Sequence, residues 1–240
     1  MNEKILKFLM EIKENVMKEN INLAIEQIDE IAEELRIKIN WSQITNPTKK
    51  KAYKKAEAYL KKQRKENAGV FGVASRQEVN DEEYICLPGK TTVFFLTEDC
   101  GLPILEDMTK DEREKYGIHE KEKAIPFSNI VPKKCDCKEI EMITYEELVK
   151  EMKMHPENVK KENGKKRYII NLPYSKGDGS VYCNGFLLKE CFEILGVEEL
   201  KAYSKNEVSV IVLETENGDF ALLLPIKVKK EKGENNGQKR

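Results

Sequence analysis

Residues 168–228 constrain the fold more than any other stretch of the chain. Two short runs of strand character, 168–175 and 181–183, lead through Asn184-Gly185 into an amphipathic helix over 186–195. Three more strands follow at tight spacing, over 199–204, 207–214 and 220–228. The apolar period switches from that of a strand to that of a helix and back, which separates the elements. Connections this short join antiparallel neighbours, because a parallel pair needs a long crossover. The pattern predicts an α+β unit with helices packed on one face of antiparallel sheet. No residue within it has the surroundings of a catalytic group.

At 240 residues the chain holds at most two domains and can bury a sizeable core. Its formal net charge of −1 conceals opposed regions. Residues 2–36 carry nine acidic and five basic side chains, whereas 48–65 carry nine basic ones against a single acid, Glu57. Local sign decides which partner approaches which face. The sequence shows no signal peptide, and Lys or Glu interrupts every apolar run near the N-terminus. No membrane contact is therefore expected, and a reduced, cytoplasmic setting is expected for the cysteines at 86, 100, 135, 137, 183 and 191.

Four segments are expected: an N-terminal helical region (1–46), a first domain (47–135), a C-terminal domain (136–228) and a disordered tail (229–240). In the first, Ile5, Leu9, Ile12 and Val16 make an apolar stripe that Ile21, Ile25, Ile28, Ala32 and Leu35 continue after a break at Glu19-Asn20. That stripe packs either on its own domain or on a second copy as a short coiled coil. Asn46-Pro47 opens the next helix, where Ala52, Ala56, Tyr59 and Leu60, with Tyr53 alongside, form a narrow stripe in a lysine-covered surface. A plainly solvated face would mix signs to gain pairs four residues apart, whereas this one sets like charges on neighbouring turns. A polyanionic partner is expected, with a solvated face as the competing expectation. From Gly69 the period becomes that of strands, over 70–79, 84–87 and 91–96, with turns at Asn80-Asp81 and Pro88-Gly89. Residues 98–123 read as an extended loop, and 127–131 as one helical turn. A short strand is expected over 139–143. Thr144 and Glu147 form a capping box for a helix bearing Tyr145, Leu148, Val149 and Met152. Asn163-Gly164 reads as a loop.

Few residues could carry chemistry. Cys135-Asp136-Cys137 is one close cysteine pair, but a structural zinc site normally shows two, and neither His119 nor His155 lies in a paired motif. A cysteine nucleophile would need a base and an orienting group, and none is in view. Gly177-Asp178-Gly179-Ser180 joins two strands and so makes a turn, not a phosphate cradle. No metal, no cofactor and no enzymatic activity are predicted.

Two motifs carry a family resemblance. Asn184-Gly185-Phe186-Leu187-Leu188, with Phe192-Glu193-Ile194-Leu195, resembles the final helix of the bacterial DNA polymerase sliding clamp (β clamp) family. Leu224-Pro225-Ile226-Lys227-Val228 is similar to the Met-Pro-Met-Arg-Leu ending of that family. A weaker likeness over 53–107, with Tyr84-Ile85-Cys86, Thr91-Thr92-Val93-Phe94-Phe95-Leu96 and Leu102-Pro103-Ile104, is to clamp-type proteins of phages. The resemblance implies DNA-clamp-like domains (47–135 partial, 136–228 C-terminal) and a non-catalytic replication accessory of the polymerase-processivity type, from a phage or other mobile element. It implies non-specific contact with double-stranded DNA through Lys49, Lys50, Lys54, Lys55, Lys61, Lys62 and Arg64, with Lys150, Lys153 and Lys189 adding to it. It also implies capture of replication proteins by short peptides in a pocket flanked by Leu224, Pro225, Ile226 and Val228. A β clamp carries three domains per chain and closes as a dimer, so a ring here would require a homo-oligomer. The other expectation is a clamp-derived regulator or protein-interaction module that encircles nothing. For the four pocket residues, an edge or core strand is the competing expectation.

Overall fold

Helix α1 (Pro47–Asn67) begins with a proline, whose missing N–H costs nothing at a helix start, and buries Ala52, Tyr53, Ala56, Tyr59, Leu60 and Gln63 along one side. The computed structural model describes residues 47–67, 69–98, 101–162 and 164–228. The expected N-terminal helical region and tail lie outside them. After α1 come strands β1 (Ser75–Val79), β2 (Glu82–Leu87) and β3 (Thr92–Leu96). Asn80 and Asp81, both at positive φ (53° and 65°), turn β1 into β2; Asn and Asp tolerate that region better than most residues. A short helix α2 (Lys110–Lys115), strand β4 (Lys138–Ile140) and helix α3 (Tyr145–Met154) follow. Then come β5 (Val159–Glu162), β6 (Lys165–Pro173), β7 (Ser180–Asn184), helix α4 (Gly185–Leu195), β8 (Lys201–Ser204), β9 (Ile211–Glu214) and β10 (Phe220–Leu223).

Every pairing between these strands is antiparallel. One sheet has the order β1-β2-β3-β10-β9-β8-β4, and a smaller one has β5-β6-β7. The group α1-β1-β2-β3 and the group α4-β8-β9-β10 share one element order and meet where β3 pairs with β10. An approximate twofold thus passes between those central strands. Both groups contribute strands to one sheet, and the β3–β10 pairing crosses the domain boundary expected at 135/136. Non-local pairing of β3 with β10 leaves no trace in the local pattern.

Side-chain alternation explains the layers. Ile85, Leu87, Phe94, Leu96, Leu213, Ala221 and Leu223 face the helices and join Tyr59, Leu60, Leu148, Leu188 and Phe192 in the main core. Cys86, Val93, Phe95, Phe220, Leu222 and Tyr84 face the other way and are covered by Phe127 and Val131. There Phe95 and Phe220 stack at 4.5 Å, with Tyr84 edge-on to Phe220 at 5.1 Å. Both faces of β3 are therefore dry, which accounts for its unbroken apolar run.

Further corrections are local. The stretch expected as an extended loop over 98–123 contains α2, started by a full capping box between Thr109 and Glu112. The expected strand over 70–79 begins only at Ser75, after a 3-10 turn at Gly69–Gly72. Where a loop is expected at Asn163-Gly164, the flanking strands β5 and β6 pair closely, with Glu162 opposite Lys165. The last strand ends at Leu223, not at 228, since Pro225 has no N–H with which to continue a ladder. The capping box at Thr144 and Glu147 and the 3-10 turn at Phe127–Ile130 are present as expected.

Candidate nucleic-acid interface

Helices α1, α4 and α3 lie side by side over the sheet, with α4 in the middle. Close approach of α1 and α4 depends on small residues. Gly196 ends α4 in the left-handed region (φ 70°), and a Cβ there would sit 2.9 Å from that of Ala52. Burying the stripe of α1 turns its lysines outward. Lys50, Lys54 and Lys61 recur at helical spacing on the side opposite the buried stripe, and Lys51 and Lys65 flank them.

The seam between α1 and α4 is charged. Lys55 Nζ lies 2.9 Å from Glu193 Oε2, and Lys62 Nζ lies 3.2 Å from Glu190 Oε1. Glu193 also takes Lys189 at 3.1 Å and the Tyr145 hydroxyl at 3.1 Å. Partial burial works against the Glu193 charge, yet Lys55 and Lys189 hold its carboxyl below the usual range. At the helix start, Glu98 accepts from Lys49 at 2.6 Å and from the Tyr53 hydroxyl at 2.7 Å, and these bonds lower its pKa too. Depressed carboxyls contribute stability that is present above their unfolded pKa and lost as acid protonates them. Lys61 pairs with Glu57 on its own helix at 2.6 Å, and Arg64 lies 4.4 Å above the Tyr116 ring.

The ten predicted basic residues therefore divide. Lys49, Lys55, Lys61, Lys62 and Lys189 have carboxylate partners, Arg64 has an aromatic one, and Lys150 sits beside Glu147. Lys50, Lys54 and Lys153 lie in the same helical layer, Lys50 half-buried and Lys54 and Lys153 exposed. The sequence reading omits Lys51 and Lys65, which lie in the same run and are exposed. Such surface pairs contribute little, between about 0 and 1 kcal/mol each, so phosphate can displace them at small cost.

The four predicted pocket residues sit at the far end of β10. The Leu224 N–H bonds to Thr91 O at 3.0 Å, and the Ile226 N–H crosses to Tyr182 O at 2.7 Å on β7. Leu224 is 46% exposed and Val228 44%, so neither belongs to a core strand. Pro225 and Ile226 are half-buried.

No group of three or more His, Cys, Asp or Glu placed to hold a metal occurs among the described residues. Nor, among them, is any helix long and apolar enough to cross a membrane. Burial raises the Cys183 thiol to about 12 and also pushes the Cys86 and Cys191 thiols well up, while Cys135 is exposed. Thiol titration followed by mass spectrometry is expected to modify Cys135 in the native protein and the three buried cysteines only after unfolding. Reaction of the buried three at the native rate would contradict this packing.

No family model matches the sequence, and no curated protein matches it. Among solved structures the chain is similar to a protein of Eubacterium rectale ATCC 33656 described as a DNA polymerase III beta subunit. The identity is 14% over 62% of this chain and 42% of that one, with a TM-score of 0.35. It is also similar to the DNA polymerase sliding clamp of Bacillus subtilis, at 10% identity over 63% of this chain and 43% of that one, with a TM-score of 0.33. The chain thus spans less than half the length of either structure, and its function has to be read from its own residues.

Proposed function

We propose that this chain is a non-catalytic, clamp-like replication accessory protein of a phage or other mobile element that lays its helical layer along double-stranded DNA. The observation that supports it most is the outward row of α1, Lys50, Lys51, Lys54, Lys61 and Lys65, on a helix fixed to a rigid sheet. Such a row meets phosphates without reading bases, giving salt-sensitive contact of low sequence preference. Short peptides of replication proteins dock at Leu224, Pro225, Ile226 and Val228, where apolar surface is left exposed beside Tyr182.

A specific observation favours a second reading, in which the same fold binds without encircling. The edges of the large sheet are occupied within the chain. At β1 the Arg76 N–H is taken by Glu106 at 2.9 Å, and the preceding Ala74 bridges Ile104. At β4 the Glu141 N–H bonds to Pro173 O at 2.9 Å and the Ser175 N–H to Glu139 O at 3.0 Å. Covered edges do not recruit strands from a second copy.

Retention on plasmid DNA separates the two. An encircling protein stays on closed-circular DNA at salt concentrations that strip it from the linear form; a non-encircling one leaves both alike. Size-exclusion chromatography with light scattering reports the oligomer that a ring requires. Peptide capture is the third arm: Leu224→Ala with Ile226→Ala is expected to abolish binding of replication-protein peptides while leaving DNA affinity unchanged. Equal peptide capture by the double variant would remove this pocket from the reading.

A further inference from the structure

Strands β5 and β6 make a second basic feature, apart from α1. Before Ile169, β6 pairs only with β5, since β7 takes up Ile169–Pro173. The residues at 159–162 and 165–168 therefore form a two-stranded ribbon. Its base is fixed: Tyr168 is 1% exposed, its N–H bonds to Asn184 Oδ1 at 3.3 Å, and its hydroxyl reaches Glu151 O on α3 at 3.5 Å. Beyond that base the register places Lys160 opposite Arg167 and Lys161 opposite Lys166. Directly opposed like charges destabilise an antiparallel pair. A ribbon selected only for solubility would gain by alternating signs here. Alternation along a strand also puts the two cationic pairs on opposite faces of the ribbon. Lys160, Lys161 and Lys166 are exposed, and none forms an ion pair among the described residues.

We propose that this ribbon is a second nucleic-acid contact, an arm that enters a groove of duplex DNA while α1 lies on the backbone. The major groove admits a two-stranded ribbon, and its two phosphate walls meet both faces of whatever enters. Cations on both faces match that setting. A flat anionic surface, such as a membrane, would meet only one of them. The arm also leaves the layer that carries α1, because its base rests on α3 and α4. The inference shares its partner with the proposed function but uses a separate site.

The test is the full chain with Lys160→Gln, Lys161→Gln and Lys166→Gln, measured on a short mixed-sequence duplex across a salt series. A slope of about 0.9 per contact predicts that log affinity against log salt flattens by roughly three, with affinity lowered on the order of a hundredfold near 0.1 M salt. A separate Lys166→Glu variant relieves the cross-strand repulsion, so it is expected to melt no lower than wild type while binding more weakly. A purely structural role would move melting and binding together. Unchanged duplex affinity and slope in the triple variant overturn the arm, and so does a loss seen only on phosphatidylserine vesicles. Changing Lys54, Lys55, Lys61 and Lys62 of α1 to Glu, measured alongside, keeps the readings apart. Loss through the arm alone upholds the arm and removes α1, loss through α1 alone does the reverse, and a wild-type chain that ignores duplex DNA removes both.

Discussion

Reversing Lys54, Lys55, Lys61 and Lys62 to Glu is expected to lower affinity for duplex DNA of any sequence on the order of a thousandfold near 0.1 M salt. The figure follows from counterion release, since a slope of about 0.9 per phosphate contact amounts to about eightfold for each contact at that concentration. The slope itself should fall by about four. Two of these lysines, 55 and 62, face Glu193 and Glu190 across the helix seam, so reversal there also sets like charges together. The lysine ends are exposed and the glutamate ends partly buried, and pairs this near the surface contribute on the order of 1 kcal/mol each, so the fold should survive with a lowered melting temperature. The same four positions changed to Gln provide the control, because they lose the charge without creating repulsion. If the Gln variant binds duplexes as tightly as wild type and with the same slope, α1 is not the contact. If the wild-type protein discriminates strongly between sequences, a contact made only to phosphates is excluded.

The elements that were legible in the sequence are those whose signals are local. Pro47 and the stripe at Ala52, Ala56, Tyr59 and Leu60 define α1, and Asn184-Gly185 with the apolar run after it defines α4 to within a residue. Asn80-Asp81 and the Thr144–Glu147 box work the same way, since the turn and the cap depend on neighbours a few residues away. Two local signals were present and unread. Thr109-Lys110-Asp111-Glu112 carries a capping box, but the helix it starts is six residues long and buries nothing, so no apolar stripe accompanies it. Asn163-Gly164 is a strong hairpin dipeptide, but lysines flank it where alternating apolar residues would ordinarily show the strands. What pairs with what was not legible. Partners of the α1 lysines lie far along the chain, with Lys55 and Glu193 separated by 138 residues. Lysine content therefore pointed to a basic face while hiding that much of it is neutralised from α4. The pairing of β3 with β10 was hidden for a similar reason, because it spans more than half of the chain's length.

Gly89→Ala is expected to destabilise the fold by roughly 2–5 kcal/mol, a large effect for one methyl group. Gly89 follows Pro88 in the buried turn between β2 and β3, beneath α1. A Cβ on it would lie 1.8 Å from the Tyr59 hydroxyl oxygen, 2.3 Å from Thr92 O and 3.0 Å from Tyr59 Cζ. The Tyr59 hydroxyl donates to Thr92 O, and its ring, 3% exposed, packs edge-on against Phe94 at 5.0 Å. Burial raises the Tyr59 pKa, so the phenol stays neutral and keeps its proton for that bond. The added methyl has no free direction: one neighbour is backbone of β3, and the other is a ring held between helix and sheet. Tyr59 has to leave, which breaks the bond and strands the Thr92 carbonyl in a dry site. Tyr59→Phe isolates the bond alone and should cost about 1 kcal/mol. With the hydroxyl gone, the nearest clash at position 89 disappears but the one with Thr92 O remains. The double variant should therefore be more stable than the sum of the single changes predicts, yet still well below Tyr59→Phe. Thermal and urea unfolding of the four proteins measures this cycle. A Gly89→Ala protein that melts with wild type, or strictly additive changes, would show that α1 does not seat on the sheet through this contact.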